Sequence, residues 1–266
     1  MNREERWAAL YAEVVYDPDA KPVVLVNKEG IRGFFKLEDF EREAVRIRLA
    51  QDLPDTALAQ SPDGLKALHQ HMFQDVYEWA GKFRNYPTGR GNHFSLPEYI
   101  EQHTDILFRK FNAEDQLKGL PAEEFAGRAA HYVNELNSIH PFIDGNGRTQ
   151  RVWLRGVAEN AGHKVHFQEN DRQPWNKVAM LGHMTGKNEA TGYHPENPLK
   201  AFIVSRMEEG TQPSSRIEMK PEYYAKLERY LEAADRIYEQ QGQTREHSEE
   251  QGQSQMVTHS AASTFR

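Results

Sequence analysis

The sequence contains no cysteine, which excludes disulfides, thiolate zinc sites and cysteine nucleophiles. It also has no excess of positive charge: 33 Lys and Arg stand against 40 Asp and Glu, a formal net charge of -7 at pH 7. Sequence-independent grip on a phosphate backbone needs the opposite balance, so no nucleic-acid partner is expected. No segment approaches the roughly 20 apolar residues that span a bilayer. The opening MNREERWAAL mixes charges of both signs without an apolar run, so neither a signal peptide nor a membrane partner is expected. What is present is a soluble balance of 38% hydrophobic and 27% charged residues. At 266 residues, one core with polar extensions is the simplest organisation.

Residues 1–35 mix short apolar runs such as Val23-Val24-Leu25-Val26 with turns and read as an N-terminal arm; residues 36–210 read as the core domain. From Leu37, Phe40, Ala44, Ile47 and Leu49 recur near helical spacing and predict a helix that ends before Pro54. Ser61 as N-cap and Pro62 in the first turn open a second helix, Ser61 to Ala80, closed by Gly81. Lys82 to Leu96, with Pro87, Gly89, Gly91 and Asn92 at its centre, predicts a short β-hairpin. Pro97 begins another helix, and Pro121 opens one whose stripe is Phe125, Ala129, Tyr132, Val133, Leu136 and Ile139. A further helix runs from about Gly147 to Gly162, and the last core helix covers Pro198 to Met207. The fold class is therefore mostly α with one small β-hairpin. Residues 211–240 read as a linker followed by an amphipathic helix from Pro221 to Gln240, and 241–266 as a disordered tail.

The chemistry concentrates in His140-Pro141-Phe142-Ile143-Asp144-Gly145-Asn146-Gly147-Arg148-Thr149-Gln150-Arg151, between two of these helices. Pro141 stops the first helix, so His140 projects from its C-terminal end. Gly145, Asn146 and Gly147 let successive backbone N–H groups turn inward at the start of the second helix, which is how a chain cradles an anion. Arg148 and Arg151 share a face of that helix and aim two guanidinium forks at the same guest, which suits a triphosphate better than a single phosphate. Asp144 is a lone carboxylate of the kind that holds Mg2+ together with phosphate oxygens and water. An imidazole, with an ordinary pKa of about 6.5, is suited to take the proton of an attacking hydroxyl, and His140 is placed to do so. Any one of these residues alone marks a turn or a surface; their conjunction in consecutive positions specifies a phosphate-group transferase.

This segment resembles the signature of the Fic family: HPF, any residue, Asp or Glu, then GNGR, with a second Arg three residues on. Leu68-His69 through Met72-Phe73-Gln74-Asp75-Val76-Tyr77-Glu78-Trp79-Ala80-Gly81-Lys82 is similar to the helix and turn ahead of the active-site flap in bacterial Fic proteins, so the likeness covers roughly Leu25 to Met207. The resemblance implies a helical Fic core, a flap hairpin around Tyr86 to Leu96 that pins a target segment beside ATP, and transfer of AMP from Mg-ATP to a protein hydroxyl. By it, His140 is the base acting on a target Tyr, Ser or Thr, and Asp144 holds Mg2+. Gly145, Asn146 and Gly147 line the anion hole, Arg148 holds the phosphates and Arg151 the terminal phosphate. His93 and Phe94 stand where the flap approaches nucleotide and target. A kinase of the Doc type, which carries Lys where this chain has Gly147, and a catalytically silent Fic-fold binding module are the alternatives. The resemblance also implies a bacterial cytoplasmic protein, with delivery into another cell left open, held inactive by a helix of pattern Ser or Thr, three residues, Glu, then Gly or Asn. Ser205 to Gly210 matches that pattern with Glu209, but inside the last core helix, so a separate small antitoxin supplying the helix is the preferred expectation.

Overall fold

The computed structural model describes residues 24–90, 92–184, 197–208 and 224–240. Expectations for residues 1–23, for the linker, for Glu209 and Gly210 and for the tail 241–266 lie outside the described residues. Helix α1 (Phe34–Leu49) starts at Phe34 rather than Leu37, and buries Leu37, Glu41, Ala44 and Val45. Ile47, expected inward, is exposed; the buried stripe is turned toward Glu41, whose charge is paired inside the fold. A short α2 (Asp55–Leu58) leads to α3 (Pro62–Phe73). Ser61 caps α3 as expected, its Oγ accepting the Gly64 N–H at 3.1 Å.

The sequence pattern carries α3 to Ala80, whereas the helix stops at Phe73. The chain then doubles back through turns to Gly81, at φ +78. This return stacks Tyr77 on Trp79 at 4.2 Å and brings the Gly81 N–H to His69 Nδ1 at 2.9 Å. A continued helix would carry Gly81 away from His69 by about 1.5 Å per residue. Strands β1 (Gly89–Arg90) and β2 (Asn92–His93) pair antiparallel with Gly89 opposite His93, far shorter than a hairpin spanning Lys82 to Leu96. Pro97–Tyr99 forms a 3-10 turn, and the helix proper is α4 (Ile100–Ala113).

Helix α5 (Ala122–Ile139) is the axis of the fold, packed against α4, α6 (Asn146–Asn160), α7 (Arg172–Met184) and α8 (Pro198–Val204). Its expected stripe is buried in full. Phe111, Phe125 and Phe202 meet the same core with no exposed surface, each contributing about 1.5–3 kcal/mol by burial. Helix α7 has no counterpart in the sequence reading, because Pro174 in its first turn looks like a breaker although a helix tolerates proline there. After α8, Ser205 caps the helix and its Oγ donates to the Phe202 carbonyl at 2.6 Å. Met207 then bridges Val165, and Glu208 pairs with His166. The described part of the inhibitory-pattern match, Ser205 to Glu208, is thus the end of a core helix rather than a helix of its own. Residues 224–240 form α9, which buries Leu227 and Ala234 and rests on α7 through Lys177 and Asp235, 2.6 Å apart.

Candidate active site

The loop between α5 and α6 opens with a left-handed residue. His140 sits at φ 48, ψ 61, a conformation that costs a non-glycine residue about 1–3 kcal/mol and persists only where surrounding contacts impose it. In that conformation the imidazole lies flat on Phe94, ring centroids 3.9 Å apart and planes within 3°. Phe94 therefore lies against the candidate base. His93 contributes its backbone to β2. His140 and Phe94 line one cavity with Gly147, Gln150 and Trp175. Both amide atoms of Gln150 and the indole nitrogen of Trp175 are buried there without a hydrogen-bond partner among the described residues. Buried polar atoms in native folds are nearly always bonded, which sets these three apart from the rest of the core.

Helix α6 contributes Gly147, in its first turn, and Gln150 to the same cavity. Gly145 precedes it at φ +78, and a Cβ there would fall 2.6 Å from the Phe73 ring, so both backbone and space demand glycine. The first internal bond of the helix runs from the Thr149 N–H to the Gly145 carbonyl, leaving the N–H groups of Asn146, Gly147 and Arg148 ahead of it. Asn146 does not turn its side chain to the mouth. Its Oδ1 accepts the Phe142 N–H at 3.0 Å and its Nδ2 donates to the Phe142 carbonyl at 2.9 Å, so it staples the loop and offers only its backbone N–H to an anion. Gly147 is helical, and a Cβ on it would make ordinary 3.6 Å contacts with Arg151 and Trp175; glycine here leaves room rather than permitting a twist.

The two arginines are held differently. Arg148 donates to the buried carboxylate of Glu41, lies 3.7 Å from Asp144 Oδ2 and stacks its guanidinium 4.6 Å over Phe73. Burial opposes its charge, and Glu41 and Asp144 outweigh that, so its pKa stands above the usual value. The other Glu41 oxygen accepts from the Tyr77 hydroxyl, whose pKa is pushed up by burial and then by the Glu41 charge. Arg151 lies 5.6 Å over Trp175 and has no ion-pair partner among the described residues; burial and the neighbouring Arg148 push its pKa down to about 10. Both arginines open on a groove of about 780 Å³ that Arg42, Arg46 and Arg155 also line. An anion in that groove relieves the crowding of like charge.

Asp144 is half-exposed, and its Oδ1 accepts the Gly145 N–H at 2.6 Å. Among the described residues no group of three or more His, Asp or Glu side chains could hold a metal. A Mg2+ ion at Asp144 would thus have one protein carboxylate and take its remaining oxygens from phosphate and water. That is the usual manner of Mg2+ in nucleotide sites, so the residues fit it.

Beneath the loop lies His69, absent from the expected site. It is fully buried and stacks on Phe142 at 3.9 Å. Its Nδ1 accepts the Gly81 N–H, which places the ring proton on Nε2, donated to the Asp144 carbonyl at 3.0 Å. Burial, with a smaller contribution from Arg148, lowers its pKa to about 4 against the Asp144 carbonyl's opposing pull. Because the folded value lies below the unfolded one, the unfolded chain takes up the proton first. The neutral ring's contribution is complete above about pH 6.5 and is lost as pH falls toward 4, a change of about 3 kcal/mol. Thermal melts between pH 7 and 4.5 are expected to show this loss, and His69→Gln is expected to flatten it. Equal pH slopes in the two proteins would sink the assignment.

A helix–loop–helix whose second helix opens on an anion cradle, with an imidazole across the mouth and two arginines along one flank, defines a phosphate-handling helical domain. The chain belongs to the Fic/DOC family, whose profile matches residues 59–157. It is 42% identical over 144 residues to a Sinorhizobium fredii protein named probable protein adenylyltransferase y4lH, covering 53% of this chain and 74% of that one. It is 32% identical over 191 residues to the protein adenylyltransferase VbhT of Bartonella schoenbuchensis, covering 71% of this chain and 40% of that relative's length. Among solved structures, the N-terminal Fic domain of the Bep8 effector from Bartonella sp. 1-1C superposes with a TM-score of 0.61 at 25% identity, over 73% of this chain and 93% of that one. The helical Fic architecture read from the sequence is thus the architecture found. Among the described residues no helix is long and apolar enough to cross a membrane.

Proposed function

We propose that this chain is a protein adenylyltransferase, moving AMP from Mg-ATP to a Tyr, Ser or Thr hydroxyl of another protein. The observation that carries the reading is the shared placement of His140 and Gly147 on one cavity, with Arg148 and Arg151 on the groove along the flank of α6. A nucleotide laid across the α6 mouth has its phosphates on N–H groups and guanidinium forks, and its α-phosphorus toward the imidazole. The target hydroxyl gives its proton to His140, and its oxygen attacks that phosphorus. The bond to the β-phosphate breaks, and pyrophosphate leaves against Arg148 and Arg151. Mg2+ held by Asp144 supplies charge neutralisation of the phosphates. Gln150 and Trp175 line the cavity beside His140 and Gly147, and shape the space the nucleotide would enter.

The names of the relatives support the same activity. In this reading the segment around β1 and β2 is the flap, with Phe94 and His93 toward target and nucleotide, and control comes from a small antitoxin in trans. The capped, core-packed setting of Ser205 favours a separate partner over an internal inhibitory helix. The test is incubation with a bacterial lysate and ATP labelled at either the α or the γ phosphate. Label from the α position alone entering protein, and its loss on chelation of Mg2+, is the expected result. Entry of the γ label marks a kinase, and entry of neither, with any inhibitory partner removed, marks a silent binding module.

A further inference from the structure

Between α3 and β1 the chain buries an arginine, Arg84, only 2% exposed, with no ion-pair partner among the described residues. Its guanidinium instead donates to four backbone carbonyls. Nε reaches the His140 carbonyl at 2.7 Å, and Nη2 reaches Ile139 at 3.1 Å and Ser95 at 2.6 Å. Nη1 reaches Tyr86 at 2.8 Å. The backbone N–H of Arg84 adds the Pro141 carbonyl at 2.8 Å. One residue thus takes up three consecutive carbonyls at the end of α5, 139 to 141, which the helix itself leaves unbonded. The same guanidinium grips the two stems of the β1–β2 segment, Tyr86 before it and Ser95 after it. A second tie runs alongside, from the Ser95 N–H to the Ser138 carbonyl at 3.1 Å.

These two sets of carbonyls flank the stacked pair His140 and Phe94. The left-handed backbone of His140 and the stem that carries Phe94 are locked by the same planar cation, and a planar fork is the one side chain that can serve such divergent acceptors at once. A buried cation facing only carbonyl dipoles is costly to retain unless its geometry is used. From this juxtaposition we infer that Arg84 is a positioning residue: it fixes the His140 imidazole against Phe94, and with them the angle at which the β1–β2 segment presents an acceptor hydroxyl to the base. The inference rests on the adenylyltransferase reading for its kinetic consequence, but not for its structural one.

Two variants test it, Arg84→Met and Arg84→Lys, the second retaining the charge while losing the fork. The structural readout is the His140 ring-proton resonance, assigned by its disappearance in His140→Ala. Stacked 3.9 Å from Phe94, that proton carries a ring-current shift, which is expected to collapse in both variants. The kinetic readout is label transfer from [α-32P]ATP to the protein the parent chain labels in a bacterial lysate. With the phosphate cradle on α6 untouched, affinity for the non-hydrolysable ATP analogue AMPPNP stays at the parental value while kcat falls about 100-fold, the scale expected of a misplaced base. If Arg84→Met does not fold, Arg84→Lys decides alone. A folded variant that keeps the shifted His140 resonance overturns the inference, as does parental kcat or a loss of AMPPNP affinity equal to the loss of kcat. A chain that labels nothing while its His140 resonance still responds to Arg84 instead removes the activity and leaves the clamp.

Discussion

His140→Ala lowers AMP transfer by about 100- to 10,000-fold, the range a positioned general base contributes, while leaving Mg-ATP binding intact. The separation follows from where the side chain sits. The imidazole packs on Phe94 across the cavity, whereas the N–H groups, Arg148 and Arg151 that the proposed reaction assigns to the phosphates belong to α6. Alanine also lacks the left-handed tolerance of glycine, so the strained backbone at φ 48 stays imposed by the carbonyl ties of Arg84 rather than relaxing around a new residue. Calorimetric titration with AMPPNP and transfer of α-label, measured on the same preparation, check the two halves together. Loss of nucleotide affinity in step with activity would place His140 in ground-state binding and remove it as the base.

The twelve residues from His140 to Arg151 were legible because each is a neighbour of the next, and backbone geometry follows from Pro141 and Gly145 locally. Glu41, His69 and Arg84 were not. Each reaches the motif from far along the chain, at separations of 107 residues for Glu41 and Arg148, 75 for His69 and Asp144, and 56 for Arg84 and His140. Only folding brings them together. Glu41 did leave a trace, a carboxylate within a helical apolar stripe between Leu37 and Ala44, and a charge in that place announces a buried partner. His69 left a similar one, between Leu68 and Met72 on the inner face of α3. Arg84 left none, since its acceptors are backbone carbonyls, which every sequence has.

The elements follow the same division. Helix α5 was readable because its stripe is long and uninterrupted, and the cap at Ser61 because its chemistry is local. Helix α7 was missed although it supplies Trp175 to the cavity, since Pro174 obscures a start that tertiary packing of Trp175, Val178 and Ala179 secures. The early stop of α3 was equally hidden, because it depends on Gly81 finding His69 rather than on any breaker within residues 74–80.

The largest effect on stability is expected at the pair formed by Glu41 and Arg148. Arg148→Met leaves the buried Glu41 with the Tyr77 hydroxyl as its one remaining hydrogen-bond partner among the described residues. Because Arg148 borders the groove, the cost reaches at most about 3–5 kcal/mol, that of breaking a fully buried ion pair. That is a large share of the 5–15 kcal/mol that holds a typical domain. Glu41→Gln is milder in stability, because the amide keeps an oxygen for Arg148, but it frees the guanidinium from its ion pair. Combining Glu41→Leu with Arg148→Met removes both charges and fills the space with apolar side chains, so stability returns toward the parental value. Activity is expected to stay low, since one of the two guanidinium groups proposed to hold the phosphates is gone. Chemical denaturation of the single and double variants gives the coupling energy, and α-label transfer gives the activity. A double variant that recovers transfer would show that Arg148 serves only to neutralise Glu41, and the phosphate role would fall to Arg151 alone. A single Arg148→Met variant as stable as the parent would show instead that Glu41 is solvated in the working protein, and that the contact joining α1 to the α6 mouth contributes nothing to the fold.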